Sequence, residues 1–392
     1  MVGRYPLKPK TINALTAIPA RYWDALERHG NPFLCHDFLA GLETSGSLDT
    51  HGWTPVHQVI YRDNELVAAL PLYLRDNSFG EFVFDWSWAD AHERHVGPYY
   101  PKLVSAIPFS PVTGPRLLVH PDADDSHALK QALITAAINL GECEQLSSLH
   151  CLFPDDRDKN LCRENDLLIR GGCQYHWFND GYADFACFLA ALNSKRRKEI
   201  RRERRSVADS DLAIEVLRGS NIKPQHWQVF HDFYCSTFER KWGRPRLTLA
   251  FFQQLSDSTT AEPLLILARA AGYYVAGAFA LIGRDTLYGR HWGCRHGYRN
   301  LHFELCYYQT QEFCIRNRLK RLDAGAQGEH KLSRGFVPVA TWSCHWLRHP
   351  GFRNAVADFV EREQVLIDET IETLAASTAY KQAAPSHDSG NH

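Results

Sequence analysis

The two halves of this sequence carry one pattern in one order, so the chain must fold either as two like units or as one fold doubled. In the first half an apolar stretch from Ile12 to Ile18 precedes Pro19 and Trp23, then Phe38, Leu39 and Leu42. In the second, Ile214 to Leu217 precedes Pro224 and Trp227, then Phe251, Phe252 and Leu255 at the same i, i+1, i+4 spacing. Proline at a first turn and that spacing predict two helices in each half. Val56 to Leu74 reads as a hairpin turning at Asp63-Asn64, and Leu264 to Ile282 as one turning near Gly272. Phe82 to Trp88 and Thr286 to Trp292 are expected to be matched aromatic strands; Trp88 and Trp292 stand 204 positions apart, as do Trp23 and Trp227.

Each unit therefore reads as strand, two helices, hairpin, further strand, helix and closing strand, an α/β order with a mixed sheet covered by helices. Closing pieces are expected at 115–119, 126–142 and 147–153 in the first unit, and at 303–318 and 321–327 in the second, followed by an acid-rich helix over 352–376. The expected organisation is a first domain over 1–180, a connecting basic helix over 181–210, a second domain over 211–378 and a flexible tail over 379–392.

Forty-four Lys and Arg against 45 Asp and Glu leave a charge of -1, so no whole-molecule field draws the chain to a polyanion. Any basic site must be local, and residues 195–205 supply one: eight Lys or Arg against Glu199 and Glu203, about +6. On a helix, Arg197, Arg201, Arg204 and Arg205 fall on one strip able to meet several phosphates or carboxylates. The alternative is a solvated face neutralised by the acidic C-terminal helix. No apolar run is long enough to span a bilayer, and MVGRYPLKPK is not followed by a signal-type apolar region, so no membrane insertion and a cytoplasmic location are expected. The 11 cysteines include no C-x-x-C pair, and neither His92 with His95 nor His291 with His296 makes a helical ligand motif, so no metal site is expected.

The segments NPFLCHDFL, FDWSWADA, YYPKL, PFSPVTGPRLL, KRRKEIRRERR, RKWGRP, YGRHWGC, HFELCYYQ and GAQGEHKLSRGF are similar to those of a bacterial N-acyltransferase family. That family is described as acting in peptidoglycan biosynthesis or recognition and is related to the Fem-type aminoacyltransferases. The resemblance runs nearly end to end. It implies two tandem GNAT-like domains and formation of an amide, with either acyl-CoA or aminoacyl-tRNA as co-substrate and no tightly bound cofactor. The acceptor would be a primary amine on a small molecule or a peptide, such as a peptidoglycan precursor, with tRNA as a further partner. The chain departs from the GNAT pattern in lacking a Gly-rich phosphate loop after YGRHWGC, and from some Fem proteins in lacking a coiled-coil arm.

Amide formation needs a deprotonated amine, aligned reactants and donors at the developing oxyanion. In GAQGEHKLSRGF, Gly325 and Gly328 free the backbone, Glu329 or His330 is the candidate base, and Lys331 and Arg334 are candidate donors to the oxyanion or leaving group. A donor-binding group is expected from Arg290, His291, His302, Glu304 and Tyr308, joined by Arg334 and by Arg197 and Arg201 of the basic helix. Asp85, Asp90, His92, Tyr100 and Lys102 occupy the matching place in the first unit and are expected to bind the acceptor, unless the two aspartates serve as caps. The competing reading is a non-catalytic module that recognises a cell-wall precursor or RNA through the basic helix.

Overall fold

The computed structural model describes residues 8–240, 243–295, 297–326 and 328–381. Lys241 and Trp242 of RKWGRP, His296, Gln327 and the tail beyond Lys381 lie outside the described residues. One mixed sheet of eleven strands runs through both halves. Its order is Leu212–Arg218, Glu262–Ala270, Tyr273–Ile282, Thr286–Cys294, Arg321–Asp323, Leu168–Phe178, Val337–Leu347, Ser148–Leu152, Lys102–Ser105, Tyr73–Arg75 and Trp53–Pro55. A smaller antiparallel sheet holds Lys10–Ile12, His57–Arg62, Glu65–Leu70 and Leu118–Val119.

The duplication is visible in two parallel junctions, Thr286–Tyr288 beside Arg321–Asp323 and Leu103–Ser105 beside Leu149–Cys151. Between them the closing strands are exchanged. Leu168–Phe178, which ends the first half, pairs with Arg321–Asp323 of the second, and Val337–Leu347, which ends the second, pairs with Ser148–Leu152 of the first. The two closing strands also pair with each other, from Val337↔His176 to His345↔Leu168. A cut at residue 180 thus divides the sequence but not the sheet.

Both hairpins turn where the sequence places them, with left-handed φ at Asp63 and Asn64 and at Ala271 and Gly272. The expected strand at Phe82 to Trp88 is not formed: Trp86–His95 is a helix whose buried face is Trp88, Ala89 and His92. Alternating aromatics imitate the period of a strand, but residues spaced i, i+1, i+4 from Trp88 are what packing buries. The true counterpart of Thr286–Cys294 is Lys102–Ser105, so the 204-residue match of Trp88 with Trp292 has no structural meaning. Leu118–Val119 joins the small sheet beside Glu65–Leu70 rather than closing the first unit. That sheet separates from the large one at Pro71, which has no N–H for either ladder.

A shared core holds the halves together. Trp23, Phe33 and Phe38 of the first half pack in one cluster with Trp227, Phe251, Phe252 and Tyr288 of the second. Ring centroids are 5.3 Å apart for both Phe38–Phe251 and Phe33–Tyr288. Helix Pro350–Ala376 lies over both closing strands. Its Glu363 binds Arg170, so this helix does not neutralise the basic segment through that acid. Residues 379 and 380, expected in the tail, are packed: Ala379 is buried and Tyr380 bridges to Leu192.

Because each half lacks its finishing strand, residues 8–180 expressed alone are expected to be insoluble or unfolded by circular dichroism. Co-expression with residues 181–381 is expected to restore a soluble complex.

Candidate active site

The strands Thr286–Cys294 and Arg321–Asp323 run parallel for three residue pairs and then part, because the second ends at Asp323 while the first continues. The notch they open is a cavity of about 460 Å³. Its walls include Gly289, Arg290, His291 and Trp292 of the long strand, and Ala324 just past the short one. His302, Cys306, Tyr307 and Thr310 close it from the helix Leu301–Arg316. That helix contains a π turn at Glu304–Tyr308, a distortion that often marks functional sites. The turn sends Tyr307 into the cavity while the neighbouring Tyr308 hydroxyl donates to Glu203 of the basic helix.

Among the described residues the corresponding junction of the first half is filled. There the chain leaving Lys102–Ser105 fills the space with buried Ala106, Ile107, Phe109 and Val112. Gly114 then bridges to Pro154, beyond the parallel partner. Arg116, fully buried, staples this plug by donating to the carbonyls of Val112, Gly114, Pro115 and Leu152.

Behind the open notch, the loop after Asp323 is held at both ends of Gly325. The Gly325 N–H donates to Asp323 Oδ1 at 3.0 Å, and Lys331 Nζ donates to the Gly325 carbonyl at 2.6 Å. Lys331 is 1% exposed, and no carboxylate within 4.0 Å pairs with it among the described residues. Burial pushes its ammonium down to about 8, with Asp323 acting in the other direction. His330 is exposed, and its Nε2 lies 2.8 Å from the Tyr307 hydroxyl. Burial, with Arg334 and Lys331, lowers the His330 pKa, and burial pushes His302 down to about 4. Both imidazoles are therefore neutral at pH 7. Glu329 is exposed on the rim.

Several expected donor-binding cations are already committed. Arg290 forms a two-pronged pair with Asp323 at 2.9 and 3.2 Å, both side chains almost wholly buried. Burial opposes ionisation of Asp323, but Arg290 and then His176 outweigh it and hold the carboxyl well below the usual range. Arg334 binds Glu203 at 2.7 Å and the Tyr308 hydroxyl at 3.0 Å while covering the Phe303 ring at 3.5 Å. Glu304 finds its partner in Arg204 of the basic helix, at 3.0 Å, with Gln309 also donating to it. Glu304, Tyr308 and Arg334 thus brace the helix from its other side and do not line the cavity. His291 does line it, packed on Phe279 and Tyr234, and burial pushes it down to about 3. Arg197 is half-buried, whereas Arg201 borders a separate open cleft beside Leu212–Arg218.

The expected acceptor group is not a site. Lys102 is fully buried and donates to Ser78 and Glu81, each at 2.8 Å, and to Asp85 at 2.6 Å. Tyr100 joins through Ser78, and Tyr99 links Asp85 to the touching pair His150 and His345. His92 is buried against Tyr99 and Phe352, and Asp90 makes a surface pair with Arg94. An acid-base pattern read along the chain does not reveal whether its charges cancel one another in a core. Asp323 was missed for a related reason: a lone aspartate ending a three-residue strand carries no local signal.

The doubled α/β architecture with one splayed junction is that of a tandem GNAT-like protein. The chain belongs to the FemAB-like family, described as peptidoglycan biosynthesis/recognition, which it matches over residues 14–382. Among solved structures it is similar to L-PGS from Bacillus licheniformis, at 9% identity over 92% of this chain and 99% of that one, with a TM-score of 0.52. It is also similar to FemX, at 9% identity over 80% of this chain and 92% of that one, TM-score 0.50. A tandem GNAT protein from the clavulanic acid biosynthesis pathway aligns at 12% identity over 88% and 99%, TM-score 0.45. No curated protein sequence matches the chain.

The two buried lysines give opposite expectations for one substitution. Lys102→Met strips two buried carboxylates of their partner and is expected to cost about 3–5 kcal/mol in chemical denaturation. Lys331→Met removes a buried cation with a single carbonyl partner and is expected to add about 1–3 kcal/mol at pH 7. Because the folded-state pKa of Lys331 lies near 8, below the unfolded value, wild-type stability rises with pH from there and the gain from Lys331→Met shrinks.

Proposed function

We propose that the chain is an acyltransferase that moves an aminoacyl group from tRNA to a primary amine at the notch of the second half. The observation that carries this is the Lys331 ammonium, buried behind the notch with one carbonyl partner and hydrogens left to donate. In the reaction the amine nitrogen bonds to the ester carbonyl carbon, the bond from that carbon to the ribose oxygen breaks, and the amine loses a proton. Lys331 donates to the oxygen that becomes negative in between, where low dielectric strengthens the contact. Neutral His330 takes the amine's proton, and its partner Tyr307, a wall of the cavity, returns one to the departing ribose oxygen.

The choice of donor rests on where free positive charge lies. Among the described residues the one lysine or arginine on the notch wall is Arg290, and Asp323 pairs with it, so a pyrophosphate would find only the single ammonium of Lys331 behind the wall. On the basic helix Ser194–Ala208, Lys195, Arg197, Lys198, Arg201, Arg202 and Arg205 make no ion pair among the described residues. Arg204 of the same helix reaches Glu304 on the notch helix, so an RNA bound along one is delivered to the other.

With Lys331 as oxyanion donor, turnover is expected to fall as pH rises through about 8 and to drop at least a hundredfold in Lys331→Met. If turnover instead climbs through pH 8, Lys331 acts as the base; equal product from wild type and Lys331→Met removes it from the chemistry. Arg201→Ala with Arg205→Ala is expected to weaken tRNA binding and flatten its log-log salt slope by about 1–2 units. An unchanged slope would return the helix to a solvated face.

A further inference from the structure

We propose that the cavity between the two closing strands is the acceptor's site, and that it selects a primary amine on a carrier without phosphate. The inference rests on the acyl-transfer reading for the word acceptor, but the site itself stands on separate observations. The cavity measures about 640 Å³ and lies where Leu168–Phe178 and Val337–Leu347 cross the middle of the molecule. Ala326 lines it while Ala324 lines the notch, so the loop that Lys331 holds at Gly325 stands between the two. An amine in one and a carbonyl in the other would meet at that loop.

Gln174 supplies the first sign of a ligand. It is 2% exposed and lines the cavity; its amide nitrogen donates to the Pro111 carbonyl at 3.0 Å. That bond fixes which end is nitrogen, and the amide oxygen is left buried without a donor. A buried carbonyl in this state is unfavourable until a ligand N–H reaches it. Beside it, Gly171 and Gly172 are two successive strand-interior residues without side chains, and both line the cavity. A Cβ at Gly171 would run into the Gln364 amide of the covering helix, and one at Gly172 would lie 3.0 Å from Thr341 Oγ1, so packing of this strand accounts for both glycines.

Charge decides the carrier. Among the described residues the cavity's one cation is Arg170, and its charge is paired with Glu363, which also lines the cavity. Nε and Nη2 donate to Glu363 at 2.6 and 2.8 Å, and Nη1 donates to the Phe84 carbonyl at 2.8 Å. A phosphate or diphosphate carrier would be desolvated with no counter-charge. Phe82, Phe84, Phe153 and Trp342 instead line it with aromatic side chains, suited to a methylene or ring carrier. The chemistry is therefore an ammonium for the Gln174 carbonyl, on a neutral, partly apolar body.

Saturation-transfer NMR and calorimetry with tyramine and with tyramine O-phosphate test this on the full chain. Tyramine is expected to bind, and its phosphate ester at least about tenfold more weakly. Gln174→Leu, which removes the amide oxygen, is expected to weaken tyramine about tenfold. No tyramine binding, equal or tighter binding of the ester, or a Gln174→Leu variant that folds as wild type and binds tyramine as tightly would overturn the proposal. The binding pattern without turnover from any acyl donor would retire the acyl-transfer reading and leave this site, whereas Lys331-dependent turnover without the pattern would retire this site alone.

Discussion

Leu168–Phe178 lies against Val337–Leu347 along almost its whole length, and each strand carries the other half's sheet on its outer edge. Neither half can complete its sheet without the other, so the duplicated units form one cooperative body. The pairing also sets both chemical centres in place. At one end it lays His176 beside Asp323, the residue that anchors the notch loop; at the other it lays His345 on His150 in the buried network of the first half. The cavity with Gln174 lies between these ends.

Duplication placed a splayed parallel junction in each half, and the chain has used them differently. In the first, apolar residues and the Arg116 staple close the gap, and the neighbouring charges of Lys102, Asp85, Glu81 and Arg75 neutralise one another out of water. In the second, Gly289 and Ala324 offer no bulk and the gap remains. A plugged junction contributes packing and a defined register; an open one contributes a site whose groups must be braced from behind. That bracing is what Glu203 and Arg204 of the basic helix do, through Arg334 and Glu304.

The repeat, both hairpins, the paired helices after Pro19 and Pro224 and the basic helix were legible because each has a local signature: a proline, a turn or a periodic apolar face. The exchange of closing strands was not, since an antiparallel partner leaves no mark on a strand's own sequence. The helix at Trp86–His95 was misread because aromatics alternate in FVFDWSW, and only the later spacing of Trp88, Ala89 and His92 shows which face is buried. At the site, Lys331, His330, His302 and His291 were legible as residue types clustered near glycines. Whether a charge is free is a property of its partner in space, so Lys102 was indistinguishable in sequence from Lys331, and Asp323 was invisible.

That distinction shapes the chemistry. Arg290 has Asp323, Arg334 has Glu203, Arg204 has Glu304, Arg170 has Glu363 and Lys102 has Asp85 with Glu81. Each pair fixes a helix or loop, and none offers a charge to a bound molecule. Arg116 lacks a carboxylate but spends its donors on four carbonyls. Lys331 spends one on the Gly325 carbonyl and is held partly discharged by burial. A protein interior tolerates such a cation only when surrounding structure compensates its cost, here the doubled sheet and its shared core. Negative charge forming within its reach would relieve the same desolvation that depresses its pKa, so the residue that most weakens the ground state is also the one that gains most as the oxyanion appears.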